Sequence, residues 1–296
     1  MQWKCYKLIY KTISPIHIGY HTLGFIQRTR TYIPGKNIWA VITERLTRRL
    51  WPDVQNKERP YENIGREVAN SILPTYFYPA IEEMKLLFPS ASSSHLGIPA
   101  SIEPLLMCSF GETAIDPSKL GAEEGSLHET EYIVNKIDGK DVYFIGYLFL
   151  KEGARINAKG IGWAEGEIVL KDLVKEIQVG GNRRYGFGRL SLKDCSEESK
   201  DIFSLYNIDL TNERPKVTNL NQDTPLLAHT DVEKARYIQG DIEPLVGREW
   251  RQKKSETNQG IGAGHRLSQA KICWMPGSIV KNIQTFTIGE QGIWRV

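Results

Sequence analysis

The stretch Gly180-Gly181-Asn182-Arg183-Arg184-Tyr185-Gly186-Phe187-Gly188-Arg189 gathers four glycines, three arginines and two aromatics. Together these residue types suit a phosphate chain. Glycine accepts positive φ and lets another backbone come close, arginine makes forked hydrogen bonds to phosphate oxygens, and Tyr185 and Phe187 offer faces on which bases stack. Neither a dinucleotide fingerprint nor a P-loop fits, because the stretch lies between a helical and a strand-like segment and no Lys follows a glycine. The plainer reading is a glycine-rich helix-to-strand turn with solvated arginines. Further cations fall in Met1–Thr43, which has no Asp or Glu but contains Lys4, Lys7, Lys11, Arg28, Arg30 and Lys36. Arg28, Arg30 and Lys36 are expected to extend the groove begun by Arg183, Arg184 and Arg189. His17 and His21, in the same acid-free segment, carry the alternative chemistry: a general acid or base for attack by a ribose 2′-hydroxyl.

Composition limits the setting for these residues. With 296 residues, 41% of them hydrophobic and 25% charged, the chain reads as a globular protein with room for two domains. A net charge of only +3 means that a polyanion partner must be argued from where the charge sits. Cys5, Cys108, Cys195 and Cys273 form no C-x-x-C pair, so no zinc site, cofactor or disulfide framework is expected, and free thiols in the cytoplasm are. The start Met1-Gln2-Trp3-Lys4 lacks an apolar h-region and no run approaches a membrane span, so no membrane partner is expected.

The elements that must hold the loop follow from periodicity. Lys4–Ile13 alternates as a strand and stops at Ser14-Pro15; Ile38, Val41, Ile42, Leu46 and Leu50 give a helix over 36–50 with Arg45, Arg48 and Arg49 outside, ended by Trp51-Pro52. Residues 52–124, broken by prolines and by the Ser90–Ser94 patch, read as an insertion of short elements. Leu127–Ile133 and Val142–Leu150 read as strands of one hairpin around Asp138-Gly139. A helix over 165–177, the glycine loop and a strand from Phe187 to Lys193 complete the order. That is an α+β, ferredoxin-like (RRM-like) β-α-β-β-α-β unit, with its open sheet face available to RNA. The expected domains are 1–208, with the insertion at 52–124, and a smaller 209–296, for which a second, degraded copy of the unit is one reading. Asp209–Asp223 reads as a linker, and Gly247–Gly264, with Arg248, Arg251, Lys253 and Lys254, as a basic loop.

Three pieces resemble the RAMP superfamily, the repeat-associated proteins of CRISPR ribonucleoprotein complexes: Ser14-Pro15-Ile16-His17-Ile18-Gly19, Tyr32-Ile33-Pro34-Gly35 opening the first helix, and the loop Gly180–Gly188. Ala122–Glu129 and Met275-Pro276-Gly277-Ser278-Ile279 resemble the subgroup that holds the 5′ handle of the guide RNA at the foot of type III effector complexes, in antiviral defence. The resemblance covers most of residues 1–193 and touches 225–280 thinly. It implies two ferredoxin-like units, guide (CRISPR) RNA as ligand, and a large subunit and backbone RAMP subunits as partners. Backbone subunits that slice target RNA place an Asp after the first strand; none stands between Ile13 and Thr43, so target slicing is not expected. The RNA-recognition signature is only half matched by Tyr185-Gly186-Phe187. Two alternatives stand beside the binding-only reading: a metal-independent endoribonuclease processing repeat RNA through His17 or His21, and a scaffold that only docks other subunits. In the processing branch the glycine-rich loop lies near the C-terminus, whereas here more than a hundred residues follow it, and a His in the Ser14–Gly19 turn serves more simply to hold that turn.

Overall fold

The structure is a computed structural model that describes residues 2–55, 58–82, 85–88, 105–251 and 262–296. β1 (Trp3–Thr12) is followed by β2 (Gly19–Leu23), β3 (Ile26–Thr29), α1 (Gly35–Leu50) and α2 (Tyr61–Ser71). Then come β4 (Ile72–Pro74), β5 (Tyr78–Ile81), β6 (Met107–Glu112), β7 (His128–Ile133), β8 (Lys140–Lys151), α3 (Leu170–Val174), β9 (Glu176–Gln178) and β10 (Arg189–Glu198). The central sheet runs β9-β10-β1-β8-β5, antiparallel throughout, with β4 also on β8. β8 is apolar nearly end to end because both of its faces are covered. Val142, Phe144, Leu148 and Leu150 point to one core, and Tyr143, Ile145, Tyr147 and Phe149 to the other.

The first core lies under the helices. Ile38, Val41, Ile42 and Leu46 of α1 recur at helical spacing and pack with Leu8, Tyr10, Phe144 and Leu148. α1 ends at Leu50 because Trp51 precedes a proline, which disfavours the α region. Arg48 pairs with Glu44 one turn back, while Arg45, expected on the outer face, turns in to donate to the Leu173 carbonyl at the end of α3, 2.8 Å away.

Several expectations change. The Asp138-Gly139 turn forms, with φ of 49° and 79°, but it joins β8 only to the short strand Lys136–Ile137. β7 instead leaves for a separate four-stranded sheet, β2-β3-β7-β6. The missing neighbour of β8 comes from inside 52–124: residues 71–80 are buried throughout and contain β4 and most of β5. The helix expected over 165–177 shrinks to α3, because Ile168–Val169 pairs with Lys159–Gly162 and Glu176–Gln178 pairs with β10. The Ser90–Ser94 patch and Lys253 and Lys254 lie outside the described residues.

The C-terminal residues form β11 (Tyr206–Asp209), β12 (Lys216–Asn219), β13 (Thr230–Asp231), β14 (Ile242–Leu245), β15 (Lys271–Trp274), β16 (Thr285–Ile288) and β17 (Trp294–Arg295). Their sheet runs from Asp201–Ile202 through β11-β12-β16-β17-β13-β15-β14, and among the described residues it carries no α-helix. The reading of a second β-α-β-β-α-β copy therefore meets an all-strand layer, and Asp209–Asp223 contains a strand where a linker was expected. This layer closes the central sheet. Trp3, Tyr78, Tyr147 and Phe149 pack on Phe203, Tyr206, Val217, Phe286 and Trp294 in one buried cluster. Tyrosine hydroxyls bridge the seam: Tyr147 accepts from the Phe203 N–H at 2.9 Å, and Tyr78 donates to the Leu227 carbonyl at 2.8 Å. Much of the face expected to stay open for RNA is thus core.

Candidate nucleic-acid interface

The glycine loop joins β9 to β10, and its backbone is fastened to the turn that follows β1. Val179 N–H donates to the Gly188 carbonyl (2.9 Å), Gly181 N–H to His17 (2.8 Å), Gly188 N–H to Pro15 (2.7 Å) and Arg189 N–H to the Ser14 hydroxyl (3.0 Å). Glycine is required where these chains touch. A Cβ on Gly180 would sit 2.2 Å from the His17 carbonyl oxygen and one on Gly188 1.9 Å from that of Val179, both at φ +79°. The backbone that the sequence suggested would lie against a phosphate chain lies instead against Ser14–Ile18.

The arch above this base is exposed. Arg183–Tyr185 make a single 3-10 turn after Asn182 in the left-handed region, and the Gln178 amide braces it from below, donating to the carbonyls of Arg183 (3.0 Å) and Phe187 (2.8 Å). Arg183, Arg184 and Arg189 are exposed and take part in no ion pair among the described residues, and Tyr185 is 73% exposed. Phe187 is not a platform of the same kind, because it packs 5.5 Å from Phe110 and 5.7 Å from Tyr132, closing the loop against the four-stranded sheet. Asn182 and the four glycines shape the loop and leave its exposed surface to the side chains at its crest.

The other candidates separate. His17 is 7% exposed, with Nδ1 2.7 Å from the Glu131 carbonyl oxygen and its ring under Gly181. It holds the loop to β7. His21 is exposed on β2, its ring edge-on to that of Tyr20 with centroids 4.1 Å apart. Arg28 stays at the edge of the loop's surroundings but is engaged, its Nε 2.6 Å from a Glu131 carboxylate oxygen. Arg30 and Lys36 do not join the groove. Arg30 makes a two-point bond to Glu243 (2.7 and 3.0 Å) and donates to the Tyr32 hydroxyl (2.8 Å), while Lys36 reaches Glu249 at 3.0 Å. Of the cations in the acid-free segment, Lys11, Arg28, Arg30 and Lys36 are paired with carboxylates that the fold brings from elsewhere.

Sequence reasoning missed the network around Glu243. His229, fully buried, stands 2.5 Å from Glu243 through Nε2 and 2.7 Å from the Tyr76 hydroxyl through Nδ1. Burial lowers the His229 pKa against the pull of Glu243, so the ring is neutral. Its Nε2–H donates to the carboxylate and its Nδ1 accepts from Tyr76. Burial by itself would raise Glu243, but hydrogen bonds from His229 and Arg30 outweigh it and hold the carboxyl at about 2. Nothing in the spacing of residues 30, 76, 229 and 243 announces this link. Among the described residues no group of three or more His, Cys, Asp or Glu is placed to hold a metal, and no helix is long and apolar enough to cross a membrane.

No protein-family model matches the chain, and no curated protein matches its sequence. Its fold is similar to solved structures. A chain in the cryo-EM structure of Type III-B Cmr-beta bound to cognate target RNA and AMPPnP, state 1, superposes with a TM-score of 0.52 at 13% identity, covering 93% of this chain and 86% of that one. Chains from Type III-B Cmr-beta bound to cognate target RNA and from its apo state give TM-scores of 0.41 at 14% and 12% identity, covering 64% of this chain and 96% of each of those. The likeness is one of fold: a strand-rich α+β chain with few helices.

Proposed function

We propose that this chain is a non-catalytic RNA-binding subunit of a type III CRISPR ribonucleoprotein interference complex, and that the crest of the Gly180–Arg189 loop holds the 5′ handle of the guide RNA. The observation that carries the reading is the loop itself: three exposed arginines without ion-pair partners among the described residues and an exposed tyrosine on a backbone bonded in place from beneath. Such an arch offers phosphate contacts and one stacking face without the cost of ordering a free loop. The fold likeness over 93% of the chain to a Cmr-beta structure bound to target RNA supports the assignment. The strand order β10-β1-β8-β5, with α1 after the first strand and α3 before the last, supports the ferredoxin-like reading of the leading half. The partners would be guide RNA, a large subunit and backbone RAMP subunits, in the cytoplasm. Burial of His17, with Nδ1 at a backbone carbonyl, favours a structural role for it over acid–base catalysis.

The test is binding of handle-containing RNA across a salt series. Arg183→Ala/Arg184→Ala is expected to weaken binding and to reduce the slope of log K against log salt by about 1.4, since each single-strand phosphate contact accounts for about 0.7. A double variant with wild-type affinity and slope would move the RNA elsewhere. Labelled repeat RNA is expected to stay intact with the protein in EDTA; cleavage lost in His17→Ala or His21→Ala would replace the binding-only reading with the endoribonuclease.

A further inference from the structure

At the end of β1 remote from the loop, on the helix-bearing side of the central sheet, an open cavity of about 560 Å3 is walled by Lys4, Tyr6, Glu152, Trp163, Glu165 and Glu197 among others. Tyr6 and Glu197 are cross-strand partners on β1 and β10, so both side chains rise on this face. The indole of Trp163 stacks on the Tyr6 ring, centroids 4.3 Å apart and planes 13° from parallel. Tyr6 is only 6% exposed, and its hydroxyl, which has no hydrogen-bond partner among the described residues, remains open to solvent. Burial, then Glu197 and Glu152, push that hydroxyl up to about 12, so it stays protonated beside two carboxylates.

The wall is acidic. Glu152, Glu165 and Glu197 are exposed and none has an ion-pair partner among the described residues. Lys151 also lines the cavity, but its ammonium lies 6.0 Å over the ring of Trp3, which belongs to the core on the opposite face of the sheet. Lys4 is left as the cation facing three carboxylates.

We infer that this cavity is a docking site for an arginine side chain presented by a partner protein. A guanidinium is planar and weakly hydrated, stacks along aromatic rings and forks onto carboxylates, which the Tyr6–Trp163 wall and Glu152 and Glu197 supply together. An ammonium gains less from the stack, and RNA is disfavoured because its phosphates would meet the carboxylates. The site is independent of the RNA-binding loop and lies at the other end of β1.

The experiment uses the whole chain, labelled at its seven tryptophan indoles, with the Trp163 signal assigned by comparison with Trp163→Phe. Acetyl-Gly-Arg-Gly-amide is titrated in and compared with the lysine and glutamine peptides. The arginine peptide is expected to move the Trp163 signal saturably, with Kd on the order of 1 mM, and more tightly than the lysine peptide. Glu152→Gln/Glu197→Gln, at exposed positions that leave melting unchanged, is expected to weaken it about tenfold. Arg183→Ala/Arg184→Ala leaves it as it is. Absence of saturation, equal response to the glutamine peptide, wild-type affinity in the glutamine variant, or a Trp163 shift produced by single-stranded RNA each overturns the inference.

Discussion

Replacing Glu243 with Gln removes the charge that joins the leading half to the C-terminal layer while keeping the side chain's shape. Glu243 and Arg30 are 8% and 12% exposed, so solvent screens them little. The carboxyl is held at about 2 against a usual 4.5, and that difference of about 2.5 units at 1.36 kcal/mol each corresponds to about 3 kcal/mol. Leaving Arg30 buried without its partner gives the same order of cost. In a protein of this size the loss lowers Tm by roughly 6–10 °C. The folded pKa is depressed, so the contribution is complete above pH 4.5 and fades as pH falls through 4.5 toward 2. It is smaller by about 1 kcal/mol at pH 4. His229 acts with the same sign, since its folded pKa is also lowered: stability falls as pH drops below its ordinary 6.5. The assay is urea unfolding followed by tryptophan fluorescence at pH 7 and pH 4, for wild type and Glu243→Gln. The reasoning is refuted if the two midpoints coincide at pH 7, or if the gap between them widens at pH 4.

Two further contrasts test how the loop is built. Gly188→Ala forces a Cβ to within 1.9 Å of the Val179 carbonyl oxygen at φ +79° and is expected to cost about 3 kcal/mol or more, whereas Gly186→Ala, at φ +87° with open space around it, is expected to cost about 1; thermal melting separates them. Tyr185→Ala should leave stability within about 0.5 kcal/mol and reduce handle-RNA affinity by about 1–3 kcal/mol, while Phe187→Ala, which strips the contacts to Phe110 and Tyr132, should lower the melting temperature by an equivalent of about 2 kcal/mol.

Local signals carried far in this chain, and non-local pairings did not. β1, α1, the Asp138-Gly139 turn and a loop entering the last strand of the leading half follow from alternation, helical spacing and turn chemistry confined to a few residues. The strands next to β8 stayed hidden because Pro74 and Pro79 read as breaks. Proline is tolerated near sheet edges, and the run Ile72–Ile81, apolar or aromatic apart from its prolines and Thr75, was the signal that could have found them. Adjacency in sequence makes β7 read as the partner of β8, yet its pairing depends on residues 16 to 26 positions away in β6 and 103 positions away in β3. The same limit applied to the site. Arg183, Arg184 and Tyr185 were legible as an exposed crest, but whether Arg30 and Lys36 face solvent was decided by Glu243 and Glu249, each 213 positions downstream.

The seam between the central sheet and its C-terminal cover also sets an order of events during synthesis. Tyr78 and Tyr147 meet the ring of Phe203, whereas Phe286 and Trp294, which complete the same buried cluster against Tyr206, leave the ribosome last. Until those late residues emerge, the nascent polypeptide carries an incompletely covered aromatic cluster that invites wrong company. A pause in translation shortly before residue 285 would therefore be more hazardous to this protein than one after the tail is free.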